Sequence, residues 1–318
     1  MPRALLTDSD RFPFSHEDVQ LLQRDGVALA QLPGHDPGEI ARAASAAAAI
    51  FVYSARFDEA LIDKLAFCQV LARCGVGYDN IDIEAARRRG IVVTYVPAYG
   101  VVDVAEHTIA LLLACARRLA QGDRAVQAGG WPGYSELGVM RRIAGRTVGL
   151  LGFGRIARQV AIKARALDLA VLAHDPFIEA GSLGDLGIQL VDFHELFTGS
   201  DFISVHLPLT AATRHLVNED ALSLMHHEAY VINTSRGAVI DHEALVRALD
   251  AGHIAGAGLD VLEHEPPQLP DGLLGRPNVL ISPHSAAFTE EALAEVRRSA
   301  LLDALRVLRG QPPRYPVP

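Results

Sequence analysis

Arg236, Glu265 and His284 stand behind three short apolar runs, YVIN, AGAGLD and VLIS, and their types suit one kind of chemistry. An arginine grips a carboxylate as a planar two-point pair and can lean on an adjacent carbonyl oxygen. Imidazole is the side chain whose ordinary pKa, about 6.5, suits proton exchange near neutrality. A carboxylate on its other nitrogen fixes the tautomer and favours the charged ring. Glu265 is the candidate for that partner. Together the three fit proton transfer at a carbonyl beside a carboxylate, as in a 2-keto acid. Each also has an ordinary reading. Arg236 can pair with a surface carboxylate, Glu265-Pro266-Pro267 can be a solvated loop, and His284 is one of thirteen histidines. His206, His226 and His227 compete as proton donors, and His264 reads as a surface neighbour of Glu265.

A second constellation concerns phosphate. GFGRIA (152–157) is G-x-G-x-x-A, preceded by the β-type run TVGLL and followed by a helical pattern. Gly152 allows the tight turn, Gly154 admits a pyrophosphate to the backbone, and Ala157 lets helix and strand pack closely. The helix N-terminus then presents free N–H groups to the phosphates. Asp175 ends the next run, 18 residues beyond Ala157. An acidic residue there accepts two ribose hydroxyls and repels a 2′-phosphate. Pro176-Phe177-Ile178 offers no arginine to receive one, so NAD is expected over NADP. A turn residue before Pro176 is the plainer reading of Asp175. Asp260, at the end of AGAGLD, is placed to bind the cofactor near its nicotinamide. His206 ends the earlier run FISVH and is expected nearer the cofactor than the reacting carbon. In RCGVGYDN (73–80), Gly75 and Gly77 leave backbone N–H groups around Val76, a concavity suited to a carboxylate. An ordinary tight turn fits equally well there.

These residues need a parallel sheet to bring them together. Runs that read as buried strands are 4–6, 49–52, 70–72 and 91–96, then 147–152, 169–175, 202–207, 230–233, 255–260 and 279–282. Helical patterns alternate with them, including 104–120, 156–168, 241–252 and 290–310, whereas 131–138 reads as loop. Continuous apolar strands joined by helical crossovers imply α/β architecture, in two doubly wound units. A change of rhythm after Tyr99 sets the expected boundaries at 1–99 plus 287–318 for one unit and 100–286 for the dinucleotide unit. Ligands bind outside the carboxyl ends of such strands, which is where Arg236, Glu265 and His284 fall.

Composition narrows the function classes. Net charge is −9, from 29 basic and 38 acidic residues, with no basic cluster to meet a nucleic-acid backbone or an anionic membrane. The longest apolar run, around 108–116, is far shorter than the roughly 20 residues of a membrane span. The opening MPRALLTDSD turns polar too soon for a signal peptide. Cys68, Cys74 and Cys115 lack metal-ligand spacing and read as reduced thiols of a cytoplasmic protein. No metal site is expected.

RCGVGYDNID, VAEHTIALLL, GRTVGLLGFGRIA, HLPLT, INTSRGAVID, GAGLDVLEHEP and SPHSAAF occur in one order between Arg73 and Phe288. In that order they resemble the D-isomer-specific 2-hydroxy-acid dehydrogenases. The resemblance implies two Rossmann-like domains with an active-site cleft between them, and a homodimer formed largely through the cofactor domains. It implies Arg236, Glu265 and His284 as catalytic residues, and Val76 and Gly77 as the loop holding the substrate carboxylate. Its implied NAD set is Gly152, Gly154, Arg155, Ile156, Asp175, His206, Pro208, Thr234, Ser235 and Asp260. The chain looks like the branch that includes the C-terminal-binding proteins, so an NAD-sensing, corepressor-like module is the alternative to a dehydrogenase of small 2-hydroxy acids. Three departures matter. Ala287 and Phe288 replace a frequent tryptophan turn. Tyr53 stands where phosphoglycerate dehydrogenases carry a basic residue. The chain ends at 318, which leaves no room for a regulatory domain. They point away from phosphoglycerate and toward a more apolar substrate tail.

Overall fold

Ala49–Val52 and Phe202–Val205 are buried at every position, as strands covered on both faces must be. The computed structural model describes residues 2–34, 36–179 and 187–318. The chain forms two units, Met1–Tyr99 with Thr289–Pro318, and Gly100–Phe288. In the first, β1 (Arg3–Leu6), β2 (Ala28–Gln31), β3 (Ala49–Val52), β4 (Val70–Arg73) and β5 (Val92–Thr94) form a parallel sheet of order β2-β1-β3-β4-β5. Side chains alternate between its faces. Leu5, Ile50 and Leu71 enter one core cluster, and Leu6, Phe51 and Ala72 the other.

The long helix Glu290–Leu308, capped by the Thr289 side chain, packs on β3, β4 and β5 of this same unit. Beyond it the tail lies antiparallel to β5, with Val317 N–H donating to Val93 O and Tyr95 N–H to Tyr315 O. Asp303, 2% exposed, holds the tail by accepting the Arg314 and Tyr315 N–H groups at 2.9 and 3.0 Å.

The second unit contains β6 (Thr147–Leu151), β7 (Ala170–His174), β8 (Gln189–Leu190), β9 (Phe202–Val205), β10 (Tyr230–Asn233), β11 (Gly256–Leu259) and β12 (Val279–Ile281). Their order is β12-β11-β10-β9-β6-β7-β8, all parallel. The order reverses at β6, where the glycine-rich turn lies. Strands β10, β11 and β12 are immediate neighbours, so their carboxyl ends open side by side.

Some elements differ from the sequence expectation. The helical pattern at 104–120 is two helices, Val101–Ala116 and Leu119–Gln127, separated where Arg118 takes a left-handed φ of 50°. A short helix, Tyr134–Leu137, occupies the stretch expected to be loop. Two sheet-edge strands are additional to the expected set: β2, which is mostly exposed, and β8, which spans two residues. Among the described residues no helix is long and apolar enough to cross a membrane.

Asp303→Ala strips two backbone N–H groups of a charged acceptor in a buried place. We expect a loss of about 1–3 kcal/mol in urea unfolding of the first unit. An unchanged midpoint would show that the tail is held by other contacts.

Candidate active site

Asn233, fully buried at the end of β10, organises the turn that carries Arg236. Its Oδ1 accepts from the Ser235 N–H and hydroxyl at 2.9 and 2.8 Å, and its amide donates to Arg236 O at 3.0 Å. Gly237 follows. A Cβ built there would lie 1.9 Å from the carbonyl carbon of Leu262, so only glycine lets the turn after β10 press against the turn after β11. Glu263 secures that second turn, accepting from Arg214 and His215 at 2.7 and 2.9 Å. In the same turn Leu262 N–H donates to Glu265 Oε1 at 2.9 Å.

Glu265 Oε2 lies 2.6 Å from His284 Nδ1. Burial pulls the Glu265 carboxyl upward. The hydrogen bond and charge of His284, the Leu262 amide and the Arg236 charge outweigh it and leave the group below its ordinary value. Glu265 is therefore an anion near neutrality and accepts the Nδ1–H, leaving Nε2 as the exchangeable position of a half-exposed ring.

His284 itself has φ 54°, a left-handed backbone. The Asp260 carbonyl accepts its N–H at 2.8 Å. The Asp260 carboxylate is buried and accepts from Ser282 Oγ at 2.6 Å and from the Ser285 and Ala286 N–H groups at 2.9 Å. Asp260, expected on the cofactor side, thus also holds the turn of the histidine.

The competing histidines separate by position and charge. His226 and His227 precede β10 at the amino end of the sheet, where His226 faces Asp201. His264 is exposed. His206 follows β9 at the carboxyl edge, with Nε2 2.8 Å from Ser204 Oγ, and loss of solvent pushes its ring down to about 4. It is neutral near pH 7 and holds no proton to donate from a charged form.

The dinucleotide elements lie at the switch point. Gly152 has φ 89°, and a Cβ there would meet the His206 carbonyl at 3.0 Å and Leu207 at 2.8 Å. Gly154 caps the helix Arg155–Ala166 without a side-chain hydrogen bond, and a Cβ on it would point into open space. A pyrophosphate has room to approach there. Arg155 is exposed and Ile156 half-buried at the first turn. Asp175 accepts Phe153 N–H and Phe177 N–H at 2.9 Å each, which ties its carboxylate to the glycine turn. A carboxylate has further lone pairs for ribose hydroxyls. Pro208 O accepts from Thr213 Oγ1 at 2.6 Å, and Thr234 Oγ1 lies 2.8 Å from Thr108 Oγ1.

In the first unit, the N–H groups of Val76 and Gly77 donate to no acceptor among the described residues. Arg73 folds beneath their loop and donates to Cys74 O at 2.5 Å. Tyr53 stacks on Phe12 at 4.7 Å, and burial pushes its phenol up to about 12, so it is neutral.

Sheet order, glycine turn and strand-end aspartate define a dinucleotide-binding α/β unit. Residues 109–286 match the family model of the D-isomer specific 2-hydroxyacid dehydrogenase, NAD binding domain. The chain is 38% identical over 306 residues to D-3-phosphoglycerate dehydrogenase from Archaeoglobus fulgidus, covering 96% of this chain and 58% of the relative. It thus spans little more than half the length of that relative. It is 38% identical over 264 residues to glyoxylate reductase from Thermococcus litoralis, covering 81% of this chain and 79% of the relative. D-lactate dehydrogenase from Aquifex aeolicus, solved with NAD and lactic acid, superposes with a TM-score of 0.86 at 31% identity over 96% of each chain. This chain belongs to the D-isomer-specific 2-hydroxy-acid dehydrogenase family.

The depressed His206 ring links stability to pH. The unfolded chain takes up a proton below about 6.5 that the folded chain refuses until about 4. Stability should therefore fall as pH drops through that window, and His206→Asn should flatten the fall. An identical pH slope in the variant would show that the ring is not held neutral.

Proposed function

We propose that the protein is an NAD-dependent dehydrogenase of small 2-hydroxy acids, working reversibly as a 2-keto acid reductase. The hydrogen-bonded pair of His284 and Glu265 beside the Arg236 turn carries this reading. Gly152, Gly154, Arg155, Ile156, Asp175, His206, Pro208, Thr234, Ser235 and Asp260 would hold the dinucleotide. NAD, when bound, supplies the two-electron hydride chemistry.

In reduction, His284 gives the Nε2 proton to the forming alkoxide, while Glu265 on Nδ1 steadies the ring and its charge. Arg236 binds the carboxylate and stabilises negative charge on the reacting oxygen. In oxidation, neutral His284 takes the proton back. The free amides of Val76 and Gly77 are the candidate anchor for a carboxylate in the first unit. Neutral, stacked Tyr53, in place of a basic residue, favours a substrate with an uncharged tail. The relatives named for phosphoglycerate and for glyoxylate are equally similar in identity, so similarity does not choose between those substrates.

We also infer a cytoplasmic homodimer. Leu119, Trp131, Tyr134 and Val139 are large apolar side chains exposed within 119–139, which supports association through the cofactor unit. Cys68, Cys74 and Cys115 are free and buried, with thiols pushed up to about 12 by burial, which fits a reducing compartment.

The test is steady-state turnover with NADH across pyruvate, glyoxylate and hydroxypyruvate. We expect turnover of at least one, and a loss of about 10²–10⁴-fold in kcat for His284→Ala. Reduction should slow and oxidation quicken as pH rises, because the proton appears on opposite sides of the two reactions. Near-normal turnover in His284→Ala would refute the assignment. Negligible turnover on every acid despite tight NADH binding would favour an NAD-sensing module.

A further inference from the structure

His107 lies on the helix Val101–Ala116, far from the catalytic triplet in sequence, and the proposed reaction gives it no part. Its Nε2 is 2.8 Å from Ser282 Oγ, and 3.4 Å from Asp260 Oδ1. Ser282 has one hydroxyl proton, and that proton goes to Asp260 Oδ1 at 2.6 Å. The serine oxygen must therefore accept from His107, so His107 carries its proton on Nε2. This gives a directed chain of His107 N–H to Ser282 O–H to Asp260 carboxylate.

The chain ends at the turn of His284. Asp260 accepts the Ser285 and Ala286 N–H groups with its side chain and the His284 N–H with its carbonyl. Ser282 O also accepts the His284 N–H, at 3.0 Å. The backbone of His284 is thus gripped by the two residues on which His107 acts. It needs a grip, because φ 54° is a conformation that a side-chain-bearing residue holds only when its surroundings impose it. Within such a hydrogen-bonded chain each donor strengthens the next.

We propose that His107 is a positioning residue for His284, acting through Ser282 and the buried Asp260 carboxylate. It touches neither Glu265 nor Arg236 in any hydrogen bond or ion pair of the site described above. Its effect should fall on the aim of the His284 ring. The inference rests on the dehydrogenase reading for its kinetic consequence, and on geometry alone for its structural one.

The test uses the full-length protein with His107→Leu, His107→Gln and Ser282→Ala. The Gln amide can place an N–H donor where Nε2 stands. In His107→Leu we expect kcat for 2-keto acid reduction to fall about 10- to 100-fold, as for a misplacement of roughly 1 Å. KM for the keto acid and Kd for NADH should move less than about twofold. His107→Gln should recover most of the loss. Adding Ser282→Ala to His107→Leu should cost little more, because both break one chain.

A second readout needs no turnover. The Nδ1–H of His284 in its hydrogen bond to Glu265 should give a far-downfield proton resonance, assigned by its loss in His284→Asn. That signal should vanish or shift in His107→Leu and in Ser282→Ala, and persist in His107→Gln. If the wild-type protein reduces no keto acid, the functional reading fails, while the resonance still decides the positioning role. An unshifted resonance in both Leu and Ala variants, or a kcat within twofold of wild type in His107→Leu, would overturn the proposal. So would a Gln variant as impaired as Leu with the resonance unchanged. If His107→Leu does not fold, Ser282→Ala carries the same test.

Discussion

The hydrogen bond between His284 Nδ1 and Glu265 Oε2 organises the edge of the seven-stranded sheet, and much of that edge exists to keep it in place. An imidazole alone on a surface loop samples several rotamers and two tautomers. Bound to a carboxylate through Nδ1, it presents Nε2 in one direction. The two partners come from neighbouring parallel strands, so their separation is set by strand spacing and by the turns that follow. Gly237 limits one of those turns. Its missing side chain lets the Arg236 turn lie against the Leu262 carbonyl, which brings the cation, the anion and the imidazole into one frame.

The histidine turn stores strain and is compensated locally. A left-handed backbone at a side-chain-bearing residue costs on the order of 1–3 kcal/mol. Hydrogen bonds to a charged acceptor each return about 1.5–3 kcal/mol. The Asp260 carboxylate accepts three of them within this turn, from Ser282, Ser285 and Ala286. The balance therefore favours the bent turn. It also means that a single buried acid governs the geometry of the exposed His284 ring.

Some of this is legible in the sequence and some is not. Runs such as AIFV, YVIN and TVGLL mark strands because both faces are covered, and nothing polar needs to interrupt them. The edge strand Ala28–Gln31 has an equally apolar run, Val27–Ala30, yet is largely exposed, so such a run does not by itself tell an edge strand from a buried one. Arg236, Glu265 and His284 stand out as candidates because each follows an apolar run, and their types are a carboxylate-binding cation, a carboxylate and an imidazole. The residues that aim them cannot be read the same way. His107 meets Ser282 across 175 positions, and a serine before a proline looks like turn chemistry. Gly237 looks like an ordinary turn glycine until the Leu262 backbone is placed against it. Arg118 ends a helix inside an apolar pattern by its backbone angle, which hydrophobic period does not encode.

In the proposed reaction Glu265 acts through His284 rather than beside it. A double-mutant cycle on kcat, with Glu265→Gln, His284→Asn and the pair together, measures that coupling. The double variant should be no slower than His284→Asn alone, since a mispositioned ring that is absent cannot matter further. Losses that multiply, each substitution costing its full factor in the presence of the other, would contradict it.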